Sequence, residues 1–292
     1  MTDKRLRRRR DTRDPMPPRI LLTARDIDII EAVYDCRVLR QDQLERFFFG
    51  SKQAAQRRLA LLFHHGYLDR EFLPVRTGFM SSPVLYLLGR KGEELLRRER
   101  GLEDARWGGN SGLSGEFLEH TLSINDFRVM VTLAAARNGF DLTAWRSESR
   151  LKQDYDRVTI AGPRGGRSVS VIPDGYFALQ TPQGRTHFFL ELDRGTMPTK
   201  RFRSKIEAYL AYYRSGGYQR RYQAKSLRVL TVTLSRARLA SLLSVTEQAG
   251  GSVWFWFGVL PELAPESVLT DPVWTVVGRE SPAALVAHEG LA

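Results

Sequence analysis

Three carboxylates fall on strand-like segments where a sheet packed on both faces normally holds apolar side chains. In His187-Phe188-Phe189-Leu190-Glu191-Leu192-Asp193, side chains alternate between the two faces. Glu191 and Asp193 therefore share one face, roughly 6–7 Å apart, while Phe188, Leu190 and Leu192 fill the other. A second strand-like run, Val169-Ser170-Val171-Ile172-Pro173-Asp174-Gly175-Tyr176-Phe177, adds Asp174 to that acidic face if the two runs pair as a hairpin. Converging carboxylates in apolar surroundings repel one another unless a cation or a set of hydrogen-bond donors lies among them. Arg194 and Lys205 are the nearby cations, and Lys205 borders the inward face of a helix expected from about Thr199 to Tyr213. This cluster is the part of the chain best suited to chemistry.

The elements that must position it can be read on either side. Phe117, Leu118, Thr121, Leu122, Ile124, Phe127, Val129, Met130, Leu133 and Ala134 make a long, nearly all-round apolar helix that starts at Glu116 and ends at Asn138-Gly139. Such a helix is expected to be buried. Leu142 to Glu148 reads as a strand, and the acidic pair of strands follows. The helix from Thr199 shows Phe202, Ile206, Leu210 and Tyr213 on one face. Leu227 to Leu234 is β-rich, Arg236 to Gln248 helical, and Ser252 to Phe257 a strand whose Trp254, Phe255, Trp256 and Phe257 are expected to close the sheet. A helix, three strands, a helix and a strand indicate an α+β or α/β domain with a mixed sheet.

The first hundred residues follow another pattern. Thr23 is placed to cap a helix bearing Ile27, Ile30 and Val33 at helical spacing. A second helix fits Gln41 to Phe48, and Ser51 is placed to cap a third, Lys52 to His65, ended by Gly66. Two strand-like runs, Tyr67 to Phe72 and Val84 to Leu88, flank a Pro/Gly/Ser stretch that contains Arg76. Three helices and a hairpin, joined by Arg57-Arg58-Leu59 through Gly66-Tyr67-Leu68-Asp69-Arg70, resemble a winged helix-turn-helix. That resemblance implies a recognition helix in the major groove of double-stranded DNA. Lys52, Gln53, Gln56 and Arg57 stand in its N-terminal half as donors, and Arg76 stands in the wing. A winged helix used for dimerisation or protein contact is the alternative reading of the same residues. His64 and His65 are expected to close the helix C-terminus rather than bind metal.

Composition agrees with a polyanionic partner. The chain has 292 residues and a formal net charge of +12. Residues 1–14 hold seven basic and three acidic side chains, which leaves +8 elsewhere. Charge of this sign favours nucleic acid. Residues 1–19 and 279–292 are expected to be disordered tails, and Gly101 to Gly115, with five glycines, an interdomain linker between residues 20–100 and 116–278. The one cysteine, Cys36, excludes an intrachain disulfide and a cysteine-rich zinc site and fits a reducing, cytoplasmic setting. No apolar run reaches the roughly 18–20 residues of a membrane span, so no membrane partner is expected. The Gly162-Pro163-Arg164-Gly165-Gly166 turn lacks the Lys-Ser/Thr of a phosphate-binding P-loop.

Two resemblances give these parts a function. The core order, with Pro173-Asp174 and Glu191-Leu192-Asp193, is similar to the PD-(D/E)xK nuclease superfamily, with Glu148 as an auxiliary acid. That similarity implies Asp174, Glu191 and Asp193 as ligands of Mg²⁺ and a lysine that orients water. Here Asp193 stands where the family's lysine belongs, so Lys205 or Arg194 would have to supply the charge, either in a metal site or by neutralising a metal-free one. More narrowly, the chain resembles the plasmid replication-relaxation proteins. The residues that carry this are His120-Thr121-Leu122-Ser123-Ile124-Asn125-Asp126, Trp145 to Glu148, Pro173-Asp174-Gly175, Glu191-x-Asp193-x-Gly195-Thr196 and Lys205-Ile206-x-x-Tyr209. The resemblance implies a DNA-binding accessory protein of plasmid or mobile-element replication or relaxation, with replication or mobilisation proteins and a second copy of the chain as compatible partners. His120 itself reads as a hydrogen-bonded core histidine. The alternatives are an Mg²⁺-dependent DNA endonuclease using Asp174, Glu191, Asp193 and Lys205, and a transcriptional regulator whose second domain binds a protein.

Overall fold

The computed structural model describes residues 9–72, 83–102, 115–161 and 165–286. Arg76 and most of the expected linker lie outside them. The chain divides into two compact units, Met1–Asp126 and Phe127–Ala292. The division falls inside a long helix, beyond the glycine-rich stretch where the sequence suggested it.

In the first unit the caps set the helix starts. Helix α1 (Ala24–Cys36) begins at Thr23, whose backbone N–H donates to Asp26 Oδ2 at 2.7 Å. Strand β1 (Val38–Arg40) leads directly into α2 (Gln41–Phe48). Ser51 Oγ accepts from the Ala54 N–H at 3.3 Å and starts α3 (Lys52–His64). Gly66, at φ +82°, turns the chain out of that helix through a conformation that favours glycine. Strands β2 (Leu68–Phe72) and β3 (Val84–Leu88) pair antiparallel, β1 joins β3 to give the order β1-β3-β2, and α4 (Arg90–Arg100) follows. Ile29, Ile30, Leu44, Leu59, Leu62 and Tyr86 form the core.

Charge locks this small core. Asp26 is fully buried and receives Arg58 of α3, with Nε donating to Oδ1 at 2.7 Å, while Arg58 also donates to the Leu21 carbonyl. Residues 9–19, expected as part of a disordered tail, are held by Arg13: its Nε donates to the Phe63 carbonyl at 2.8 Å and an Nη to the Leu68 carbonyl at 3.0 Å. His64 and His65 take part in the same docking, through the Asp14 N–H and the Pro18 carbonyl. Helix α5 (Gly115–Arg137) begins in this unit, where Asn125 donates to the Val38 carbonyl at 2.6 Å and Asp126 accepts from Arg40 and Gln43. The His120–Asp126 segment is thus tied to β1 and α2.

The second unit is α+β, built on a six-stranded mixed sheet in the order β11-β10-β9-β8-β7-β4. Its elements are β4 (Asp141–Ser147), the short α6 (Glu148–Leu151), β5 (Asp156–Ile160), β6 (Arg167–Val171), β7 (Gly175–Thr181), β8 (Gly184–Asp193), α7 (Thr199–Arg214), α8 (Gly217–Tyr222), β9 (Leu227–Thr233), α9 (Arg236–Gln248), β10 (Phe255–Val259) and β11 (Thr275–Val276). Strands β4, β7 and β8 run antiparallel in turn; β8, β9 and β10 are parallel, connected through α7 and α9. One expectation changes here. The run from Val169 to Phe177 is two strands, and β6 pairs with β5 in a separate two-stranded sheet. Proline has no N–H for a ladder, so Pro173 ends one strand before the other begins.

Phe177 stacks on Phe188 and meets Phe127 and Trp274 edge-on, covering one face of the sheet with residues from α5. Opposite them, Tyr176, Phe189, Val229 and Phe255 pack under α7 and α9. Three α7 tyrosines reach different partners: Tyr209 donates to Glu191, Tyr212 to Asp156 of β5, and Tyr213 to the Leu227 carbonyl. Residues 279–286, expected as tail, are packed as well. Ala283 bridges to Trp274, the Val286 N–H donates to the Leu269 carbonyl at 2.8 Å, and Leu285 is buried.

The Asp26–Arg58 pair yields a first prediction. Burial alone would raise the Asp26 pKa, but hydrogen bonds from Arg58 and Thr23 hold it below the ordinary 3.8. Its contribution to stability is therefore present above that value and lost as pH falls through the lower folded-state value. Arg58→Ala strands a buried carboxylate, so urea denaturation at pH 7 is expected to show a loss of about 3 kcal/mol. The deficit relative to the unsubstituted chain should shrink below about pH 4.

Candidate functional site

The acidic face of β8 is built as its alternation dictates: His187, Phe189, Glu191 and Asp193 point toward α7 and α9. All four are at least nine-tenths buried. Asp174 sits just before β7, its N–H donating to the Leu190 carbonyl at 2.9 Å and its Oδ2 accepting from the Leu192 N–H at 2.8 Å. The strand interruption at Pro173 thus sets Asp174 beside β8, with a backbone amide of that strand as partner.

Glu191 is the centre of the cluster. Lys205 Nζ donates to its Oε2 and the Tyr209 hydroxyl to its Oε1. Lys205 and Tyr209 lie one turn apart on α7, which puts both on the face that meets β8. Burial pushes the Glu191 pKa up to about 7, with Lys205 opposing the rise and Asp174 adding to it. For Lys205, burial works against the charged form, but Glu191, Asp174 and more weakly Glu148 reverse this and raise its pKa. Tyr209 is raised well above 10 by burial and by Glu191, so it remains a donor. Glu148, the expected auxiliary acid, opens α6 and pairs with Lys152 at 2.7 Å.

Asp193 is held separately. Arg238, in the first turn of α9, grips it through both oxygens, at 2.7 and 3.0 Å, and the Gly195 N–H donates to Oδ2 at 3.0 Å. The structure therefore brings together Asp174, Glu191 and Lys205 and gives Asp193 its own cation from another helix. Reading the sequence missed Arg238 and the donor role of Tyr209. The spacing of Lys205 and Tyr209 was the available signal for the second; nothing local marks Arg238 as the partner of a residue 45 positions earlier.

A hard divalent ion takes about six oxygen ligands. Both oxygens of Glu191 and both of Asp193 already accept from fixed donors, and one oxygen of Asp174 accepts from a backbone amide. Among the described residues no group of three or more His, Cys, Asp or Glu side chains is placed to hold a metal ion. As these side chains are placed, the chain's own donors hold the acids, and the Mg²⁺ site expected from the sequence is not assembled among the described residues.

In the first unit, Lys52, Gln53, Gln56 and Arg57 are all exposed on the N-terminal half of α3, whose first turn contains no acid. Arg57 Nε donates to the Gln53 carbonyl at 3.4 Å, and among the described residues neither Lys52 nor Arg57 has an acidic partner. Arg58, one position on, points inward to Asp26. Also among the described residues, no helix is long and apolar enough to cross a membrane.

The replication-relaxation profile matches residues 30–227, from α1 through α7 to the first residue of β9. The chain belongs to the replication-relaxation family. Both the exposed face of α3 and the Asp174–Glu191–Lys205 cluster of this replication-relaxation protein lie inside the matched span. No curated protein matches it in sequence. Among solved structures it is similar to restriction endonuclease FokI, at 11 % identity over 82 % of this chain and 42 % of that one, with a TM-score of 0.28. FokI bound to DNA gives 11 %, 82 %, 43 % and 0.25. The replication-relaxation protein spans less than half of either FokI chain.

The Glu191 pKa predicts the pH dependence of the second unit. A carboxyl raised from 4.5 to about 7 on folding binds its proton more tightly in the native state. Its contribution to stability therefore falls as pH rises from about 4.5 through 7. In metal-free buffer the unsubstituted protein is expected to lose this increment between pH 5 and 8, and Glu191→Gln is expected not to. Denaturation curves at both pH values read the difference.

Proposed function

We propose that this protein is a DNA-binding accessory protein of plasmid or mobile-element replication or relaxation, which docks on duplex DNA through α3. The observation that carries the reading is the exposed, acid-free N-terminal half of α3. It presents Lys52, Gln53, Gln56 and Arg57 to solvent, and among the described residues neither Lys52 nor Arg57 has an acidic partner. The order α1-β1-α2-α3-β2-β3, with a hairpin directly after α3, supports a winged helix-turn-helix, in which that helix enters the major groove. Amide and guanidinium donors suit base edges, and the helix N-terminus adds partial positive charge toward phosphate. Arg76, expected in the wing, lies outside the described residues.

The second unit is, on this reading, a nuclease-like module. Asp174, just before β7, and Glu191-x-Asp193, on β8, stand beside each other with a lysine next to Glu191, an arrangement in keeping with the resemblance to PD-(D/E)xK proteins. Its acids are closed by the chain's own donors. A cutting enzyme would require Glu191 to be released from Lys205 and Tyr209, and Asp193 from Arg238. The placement of Lys205 beside Glu191 and Asp174 is what favours the endonuclease alternative.

Two measurements separate these readings. The double substitution Lys52→Ala/Arg57→Ala is expected to weaken duplex affinity about tenfold at physiological salt and to reduce the slope of log K against log salt by roughly 2. Unchanged affinity would reject α3 as the contact. Supercoiled plasmid incubated with the protein and Mg²⁺ or Mn²⁺ is expected to stay uncut. Nicking that Asp174→Ala abolishes would establish the endonuclease.

A further inference from the structure

The second unit carries a basic cleft that neither α3 nor the acid cluster uses. It has a volume of about 290 Å³ and lies where the end of α7 and the start of α8 meet β5. Asp156, Arg157, Tyr212, Ser215, Arg220 and Arg221 line it, together with Gly217. No aliphatic side chain does. Residues 127–292 hold 22 basic and 14 acidic side chains, so this unit carries most of the net charge of the chain.

The three arginines have different duties. Arg221 is largely buried and spent: it pairs with Asp156 at 3.2 Å and with Asp154 at 2.8 Å. The Tyr212 hydroxyl donates to the other oxygen of Asp156, so the one acid in the cleft is fully engaged. Arg157 and Arg220 remain. Arg157 Nε donates to Ser168 Oγ at 3.0 Å and Arg220 donates one Nη to the Ser215 carbonyl at 2.7 Å. Both are thereby oriented by neutral partners. Each is exposed, and among the described residues neither has an acidic partner. Gly217 fixes the corner, because a Cβ there would lie 2.3 Å from the Tyr212 ring; a side chain would push α8 and Arg220 away.

Two oriented guanidinium groups with spare N–H donors, facing one open polar cleft, match the oxygens of a phosphate. Small-molecule sites are typically enclosed and mostly apolar, whereas this one is open and lined by polar groups. We infer that the cleft between α7, α8 and β5 binds a backbone phosphate of nucleic acid through Arg157 and Arg220, as a contact separate from α3.

The test is Arg157→Ala/Arg220→Ala in the full-length chain, with thermal unfolding to confirm the fold. Fluorescence anisotropy with a labelled duplex and a labelled single strand, across a salt series, should show affinity for at least one of them falling three- to tenfold, about the loss of one or two phosphate contacts. The salt slope should fall by roughly 1–2. Unchanged affinity and slope for both nucleic acids overturn the proposal. Unchanged affinity accompanied by loss of inorganic phosphate binding, followed by NMR titration, overturns the nucleic-acid occupant and leaves a small-anion site. Lys52→Ala/Arg57→Ala, measured in parallel, reports on α3 alone, so either contact can fail without the other. Gly217→Ala is expected to weaken binding in the same direction by displacing Arg220.

Discussion

Carboxylates cannot be placed on the inner face of a central strand without bringing their counter-charges with them, and the second unit is organised around that requirement. Glu191 and Asp193 lie on β8, in the middle of the six-stranded sheet. Each is neutralised from a different helix, Glu191 by Lys205 of α7 and Asp193 by Arg238 of α9. Those helices are the crossovers that carry β8 to β9 and β9 to β10. The parallel half of the sheet is therefore anchored by charge as well as by apolar packing. Removing a single partner would leave a buried charge, a far larger penalty than the net gain of the pair.

Adjacent arginines in α3 show the same logic at a surface. Successive helical residues point about 100° apart, so Arg57 and Arg58 face opposite environments. Arg58 turns inward, is raised in pKa chiefly by its hydrogen bond to Asp26, and clamps α3 against α1. Arg57 stays outside. One is committed to holding the helix and the other is left for whatever the helix meets.

Much of this was legible in the sequence because it is local. Thr23 and Ser51 marked the helix starts, Gly66 the end of α3, and the alternation along residues 187–193 placed Glu191 and Asp193 on one face. Lys205 followed from helical spacing. The remainder depends on contacts distant in sequence. Arg238 had no local mark as the partner of Asp193, and Arg13 docks on carbonyls some fifty residues away. The run from Val169 to Phe177 misled because both halves have strand composition; only the missing N–H of Pro173 separates them. Within the described parts of the expected tails, charge and proline content argue for disorder, yet Arg13 docks residues 9–19 on two carbonyls, and residues 279–286 pair with Trp274 and Leu269.

The tyrosines of α7 have a consequence of their own. Aliphatic side chains grip a sheet without caring much about a few degrees of rotation, since dispersion is non-directional. Hydroxyl groups do care. Tyr209, Tyr212 and Tyr213 reach a β8 carboxylate, a β5 carboxylate and a strand carbonyl at the head of β9. Those three acceptors belong to two different sheets, so they fix the rotational phase of the helix like the teeth of a key. Exchange of one core apolar residue for another would leave that angular setting in place, while loss of these hydroxyls would release it.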